Sequence, residues 1–292
     1  VSTLRESVLS LDVGDPEVAI AVHALLGDDP ELLSQASEPP RSYGSLGPWV
    51  KANFLSADGP FFGLAEHAPQ AALGDAFDER VDRLLRLLVI RPRMEADLKA
   101  LSRIEDADLE PILTVLTEAG VVRADVNPLE PDAPFWTLDH RLVRFHYAMM
   151  TEHLERWRRG YITDKLWRMT SARFNRYVCR PEFTKLAREW ALGDPAAAET
   201  TRIVVPDPRF RQLRTLEVAA WSEKGELVAL GTVRWGITMR EKQLQRMRHV
   251  RRLLDAESVR MYCIAPRVDP AIAADEAPEL FRVGPAHLLR AV

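Results

Sequence analysis

The apolar residues of this 292-residue chain repeat at helical spacing as far as residue 193. From residue 200 they gather into short β-rich runs instead. One change of period, helices first and strands last, predicts an α+β fold that is mainly helical. The length suits two or three domains, and 47% hydrophobic residues suffice for a core without disulfides or metals. That composition excludes disorder, collagen-like repeats and a disulfide-rich secreted scaffold.

Near the start, Asp15-Pro16-Glu17 reads as a capped helix start, followed by Val18, Val22, Leu25 and Leu26 at helical spacing. Gly27-Asp28-Asp29-Pro30 breaks this helix, and Glu31-Leu32-Leu33 opens another. Prolines and glycines mark residues 38–48 as a loop, and residues 56–60 form a second irregular stretch. The clearest pattern spans residues 75–139. Helices are expected over 75–90, 94–101 and 106–119, the last stopped by Gly120. Strands at Val121–Arg123 and Phe135–Leu138 follow, joined by a loop over 126–134 that holds Pro128, Pro131 and Pro134. Three helices and a two-stranded ribbon make a winged-helix pattern. Its third helix offers Asp106, Asp108, Glu110 and Glu118 but no base, so phosphate would be repelled. A structural or protein-contact role is favoured over DNA reading.

Residues 139–193 read as basic helices with large core side chains at Trp157, Trp167, Phe174, Tyr177 and Phe183. His146 and His153 lie near an apolar stripe and read as packing residues, because no acid or cysteine cluster completes a metal site. Beyond residue 200, strands are expected at Thr215–Trp221, Leu227–Trp235 and Val259–Ile264, with a hairpin turn at 222–225 and a helix at 240–254. That is a small α/β domain with a crossover.

Charge divides along the same line. Residues 1–139 hold 11 lysines and arginines against 25 acids, whereas residues 140–292 hold 28 against 18. The net of −4 therefore conceals an acidic half and a basic half. The split points to an anionic partner for the basic half, or to docking of the halves on each other. Cys179 and Cys263 are the only cysteines, which fits a reducing cytoplasm. No apolar run approaches membrane-span length, and acids within residues 1–30 speak against a signal peptide.

The order of these segments resembles the C-terminal half of the archaeal-type P-loop ATPase family, which also occurs in bacteria. Trp136-Thr137-Leu138-Asp139 with Leu142, Arg144, Phe145 and Tyr147 is similar to one family segment. Tyr177-Val178-Cys179-Arg180 with Phe183, Leu186 and Arg188-Glu189-Trp190 is similar to the next. Gly231-Thr232-Val233-Arg234-Trp235 stands where the family has Gly-Glu-Cys-Lys-Trp, and Gly27-Asp28-Asp29-Pro30 resembles the turn near the end of the ATPase lid. The resemblance covers about residues 15–260. It implies a helical segment over 1–74, a winged helix over 75–139, and basic helices with a restriction-endonuclease-like domain over 140–292. On the resemblance the ATPase core is missing from these residues, either truncated or lost, and whether an ATPase domain precedes Val1 stays open.

The departures shape the functional expectation. No phosphate-cradling Gly-x-x-x-x-Gly-Lys-Ser/Thr loop is present, so this chain should not hydrolyse ATP. On the resemblance, the nuclease site is degenerate. Glu217 stands for an Asp, Thr232 for the Glu and Arg234 for the Lys, while Thr184 falls where a further acid is common. One carboxylate, a hydroxyl and a guanidinium are a poor Mg²⁺ site. Glu217 and Arg234 are expected to form an ion pair in its place. No other catalytic pattern is found: no Gly-x-Ser-x-Gly, no His-Glu-x-x-His and no Cys-x-x-Cys. The expectation is a non-catalytic module without cofactor or metal. It would contact DNA or RNA through Arg156, Arg158, Arg159, Arg168, Arg173, Arg176, Arg240, Arg246, Arg248, Arg251 and Arg252. The alternatives are a protein-interaction module that uses the acidic half, and a metal-dependent nuclease built on Glu217.

Overall fold

The computed structural model describes residues 3–290, apart from the side chain of Asp106, which lies outside the description. The fold is α+β, about half helical, with a three-stranded antiparallel sheet and a five-stranded mixed sheet. No helix among the described residues is long and apolar enough to cross a membrane. Two compact units emerge. A helical unit comprises residues 11–125 and 132–179, and a sheet unit comprises 3–10, 126–131 and 180–290. The expected boundaries at 74 and 139 are not those of the compact units, because residues 140–179 pack with the helical unit.

The helical unit is built around helix Pro16–Leu26. Asp15 caps it, its carboxylate accepting from Glu17 N at 2.8 Å and Val18 N at 3.3 Å. Every residue from Val18 to Leu26 is buried, so this helix is surrounded on all sides. Helix Arg141–Phe145 and the π-helical segment Phe174–Cys179 both contact it. Phe54 joins Phe61 and Phe145 at ring separations of 4.9 and 5.0 Å. The expected loop at 38–48 is shorter than its prolines suggest. Helix Leu46–Val50 already begins inside it, with Pro48 in the first turn, where no helical N–H is lost.

Helix Glu79–Ile90 starts later than expected, because Asp78 caps it and accepts from Val81 N at 2.9 Å. Helices Glu95–Ser102 and Asp106–Glu118 follow. Strands β1 (Arg93–Met94), β2 (Val122–Asn127) and β3 (Glu130–Leu138) form the small sheet in the order β1-β3-β2. The expected loop over 126–134 is therefore corrected to a short turn, with Pro131 and Pro134 inside β3. They are tolerated because β1 pairs with β3 only at Phe135 and Trp136, leaving the earlier part of β3 without β1 as a neighbour.

The sheet unit has strand order β4 (Glu199–Asp207), β5 (Gln212–Trp221), β6 (Leu227–Val233), β7 (Arg260–Ile264) and β8 (Leu280–Val283). β4, β5 and β6 are an antiparallel meander, and β7 and β8 run parallel to β6. β4 and β8 were not expected from the sequence. The crossover helix Glu241–Leu253 packs Leu244, Met247 and Val250 into a core with Leu216, Leu230 and Met261. Helix Arg180–Ala191 packs on β4, β5 and β6. Gly231 lets β6 pack closely between its neighbours, since a Cβ there would meet Val218 Cβ at 3.1 Å and Tyr262 Cβ at 3.2 Å. Helix Leu4–Leu9 completes the unit, its first amides at Leu4 and Arg5 donating to the Glu189 carboxylate at 2.8 and 2.9 Å.

Candidate functional site

Glu217 on β5 lies at the centre of a closed polar cluster, its side chain 14% exposed. Arg180, at the start of helix Arg180–Ala191, donates to Oε1, and Arg234 Nη1 approaches the same oxygen at 3.4 Å. Oε2 accepts from Thr232 Oγ1 at 3.0 Å and from Val233 N at 3.1 Å. Arg188 Nε donates to the Glu217 carbonyl at 3.0 Å. Burial pushes the Glu217 carboxyl up, but Arg180, Arg234, the Val233 amide and Arg202 outweigh it and hold the group below the usual carboxylate range. Both carboxylate oxygens are thus occupied by donors.

Of the four positions expected to form a degenerate nuclease-like site, the structure brings three together: Glu217, Thr232 and Arg234. Thr184 is buried, and its hydroxyl donates to the Arg180 carbonyl at 2.8 Å, a local helix contact. Arg180 and Arg202 were not anticipated. Arg180 is 37 positions from Glu217, and Arg202 lies on β4, a strand that the sequence did not announce. Among the described residues, no group of three or more His, Cys, Asp or Glu is placed to hold a metal ion.

The same unit contains a second buried carboxylate that sequence reasoning missed. Asp207, at the end of β4, has a fully buried side chain. It accepts from Arg214 Nε at 2.8 Å, contacts His249 Nε2 at 2.9 Å and accepts from Phe210 N at 3.3 Å. Burial raises its pKa, but these partners prevail and hold it below the usual range. The arrangement ties the β4–β5 hairpin to the crossover helix. Among the described residues, no hydroxyl or thiol is hydrogen-bonded to the His249 ring, so the pair is an anchor without a nucleophile.

The eleven arginines expected to meet nucleic acid divide into two groups. Arg158 is held by Glu66 and Glu155, Arg173 by Glu152 at 2.9 Å, Arg248 by Asp275 at 2.6 Å, and Arg251 by Glu279 at 3.0 Å. Arg246 donates to the Thr215 carbonyl at 3.4 Å, and Arg176 lies over the Tyr177 ring. The other five face solvent, as Arg158 and Arg176 also do. Arg156, Arg240 and Arg252 are exposed and make no side-chain hydrogen bond or ion pair among the described residues. Arg168 is exposed near Asp164, and Arg159 is 3.9 Å from its nearest acid, Glu155.

Two of the exposed arginines border a cavity of about 650 Å³ in the helical unit, with Tyr161, Lys165, Leu166 and Met169. Arg240 borders a smaller one of about 430 Å³ in the sheet unit, with Lys242 and Arg267. His146 and His153 are packed, as their surroundings show. His146 Nδ1 is 3.0 Å from the Ala65 carbonyl, and His153 meets the Trp157 ring edge-on at 5.9 Å. No protein-family model, curated protein or solved structure matches this chain.

Proposed function

We propose that this chain is a non-catalytic binding module of the ATPase-family type, which holds nucleic acid through its phosphates and does not cut it. The observation that carries the reading is the closed Glu217 centre. A Mg²⁺ ion needs free carboxylate oxygens and room for water, whereas here Arg180, Arg234, Thr232 and the Val233 amide engage both oxygens. Internal cations occupy the place that a divalent metal would take.

The topology supports the finer fold reading. A helix, an antiparallel meander, a crossover helix and a parallel strand follow one another in the order that the resemblance implies for a restriction-endonuclease-like domain. The helices at Glu79–Ile90, Glu95–Ser102 and Asp106–Glu118, followed by β2 and β3, are the parts of a winged helix. Nucleic-acid contact would rest on the most exposed cations, chiefly Arg156, Arg168, Arg240 and Arg252, with Arg159 held only by Glu155 at 3.9 Å. A protein partner is a second reading for the acidic helix Asp106–Glu118. That helix exposes 42% of Val115 beside Glu110 and Glu118.

The test is binding of labelled DNA and RNA across a salt series, with a nicking assay on supercoiled plasmid in Mg²⁺ and Mn²⁺. Binding should weaken steeply with salt, its logarithmic slope growing by about 0.7 to 0.9 per neutralised phosphate. The plasmid should stay intact. Absence of binding at low salt removes the nucleic-acid reading. Metal-dependent nicking that Glu217→Ala abolishes overturns the non-catalytic one.

A further inference from the structure

We infer that the cavity bordered by Arg156, Arg159, Tyr161, Lys165 and Met169 receives an unpaired nucleobase of a single strand, with the flanking phosphates on its cations. The inference rests on the nucleic-acid reading above and adds the form of nucleic acid recognised.

The cavity owes its shape to a helix ending. Helix Leu154–Arg158 closes with Gly160 at φ +71, where Tyr161 N bonds to the Arg156 carbonyl and Gly160 N to the Trp157 carbonyl, both at 2.9 Å. This six-to-one and five-to-two pair is the Schellman ending that glycine permits. Thr163 then caps helix Asp164–Arg173, its hydroxyl accepting from Leu166 N at 3.1 Å. Tyr161 is thereby fixed at the mouth of the cavity between two helix ends.

Three properties identify the occupant. First, the surface is apolar where apolar groups should be covered. Tyr161 is 60% exposed and Met169 64%, while Leu166 is buried beside them. Second, the rim is cationic. Arg156 and Lys165 are exposed and make no side-chain hydrogen bond or ion pair among the described residues, and Arg159, 70% exposed, has a single loose pairing with Glu155 at 3.9 Å. The one lining carboxylate, Glu155, is engaged by Arg158 at 2.6 Å. Third, the platform combines a flat ring and a thioether with guanidinium groups, which suits a base with a π-face and phosphates on either side. In a duplex the base faces are covered by stacking, so a duplex can offer this cavity only phosphates. An acidic peptide would satisfy the cations but leave the exposed ring without a planar partner.

The experiment is fluorescence anisotropy of the full chain with a labelled single strand of about 12 nucleotides and with the matching duplex, at low salt. Wild type is compared with Tyr161→Ala, Tyr161→Phe and Arg156→Ala. Tyr161 is largely exposed, and unchanged thermal midpoints establish that the variants are folded. The single strand should bind more tightly than the duplex. Tyr161→Ala should weaken the single strand on the order of tenfold, leave the duplex unchanged, and be rescued by Tyr161→Phe. Arg156→Ala should weaken the single strand and lower its salt slope. Equal affinity for both forms, an unaltered single-strand affinity in Tyr161→Ala, or displacement of the strand by poly-glutamate at matched charge would each overturn the inference while leaving the nucleic-acid reading standing. Failure of both nucleic acids to bind the wild type would remove both.

Discussion

Glu217 accepts a hydrogen bond from Thr232 Oγ1 at 3.0 Å across the neighbouring strands β5 and β6. Where a metal centre needs two acceptors side by side, this pair supplies an acceptor and a donor. Mg²⁺, Mn²⁺ and a chelator should therefore leave the thermal midpoint unchanged. A rise with either ion that disappears in Glu217→Gln would show an open site instead.

The same cluster predicts how a lost charge is felt. In Glu217→Gln, Arg180 and Arg234 face each other without the carboxylate. The side chains are 14% to 26% exposed, so the penalty should be about 2 kcal/mol, below that of a fully buried pair. Urea unfolding measures it. Because the carboxyl is held below its usual 4.5, its contribution is complete above that pH and is lost as the pH falls through the lower folded value. Glu217→Gln should flatten that part of the acid-stability curve, and an unchanged curve would show that the arginines do not depend on Glu217.

The helical unit should lose stability at a higher pH, for a different reason. Burial is the largest cause holding both His140 and His146 below the usual 6.5. The unfolded chain therefore takes up protons first, and stability falls as the pH drops below about 6.5 toward the folded values. Denaturation midpoints measured from pH 8 to 5 should decline, less so in His146→Gln. A flat profile in wild type would contradict the burial of these rings.

Gly160→Ala tests the helix ending beneath Tyr161. A Cβ at φ +71 costs about 1 kcal/mol, although nothing lies within 4 Å of it. Thermal unfolding should show the loss, and single-strand affinity should fall with it. A fully retained midpoint would mean that the turn relaxes freely.

Thiol chemistry offers a direct check on the packing. Cys179 and Cys263 are both buried, and burial pushes the Cys263 thiol up to about 11. Native protein should react negligibly with a thiol-specific chromogen at neutral pH, and both thiols should react in denaturant. Rapid labelling of the folded chain would place at least one of the two thiols outside the core.

Much of this architecture was legible because local signals agreed. Asp15-Pro16 and Asp29-Pro30 mark helix starts, Gly120 marks a helix end, and the crossover helix shows its apolar stripe. The missed strands lacked such agreement. β4 mixes Glu199, Thr200, Thr201 and Arg202 with Pro206, and five of its residues are buried without strict alternation. β8 has four residues, fewer than a period can establish. The Glu217 centre was half visible, since Thr232 lies on the next strand and Arg234 directly follows it. Arg180 reaches it from a helix 37 positions earlier, a proximity made only by tertiary packing. The distant acids Glu66, Asp275 and Glu279, which pair with Arg158, Arg248 and Arg251, were hidden for the same reason, so the sequence overstated the free positive charge.

The sheet unit is threaded from three separate stretches of chain, and this limits how the protein can be dissected. A fragment beginning at Arg180 keeps every strand from β4 to β8 but discards Leu4 and Arg5, whose amides hold the Glu189 carboxylate. It also discards Val126 and Asn127, which meet Thr201 at 2.6 Å and Val204 at 3.3 Å. Such a piece exposes apolar surface and an orphaned acid where the intact chain has neither. Subcloning at the obvious helical junction should give poorly soluble material, whereas adding the 3–10 and 126–131 segments back through short linkers should restore it.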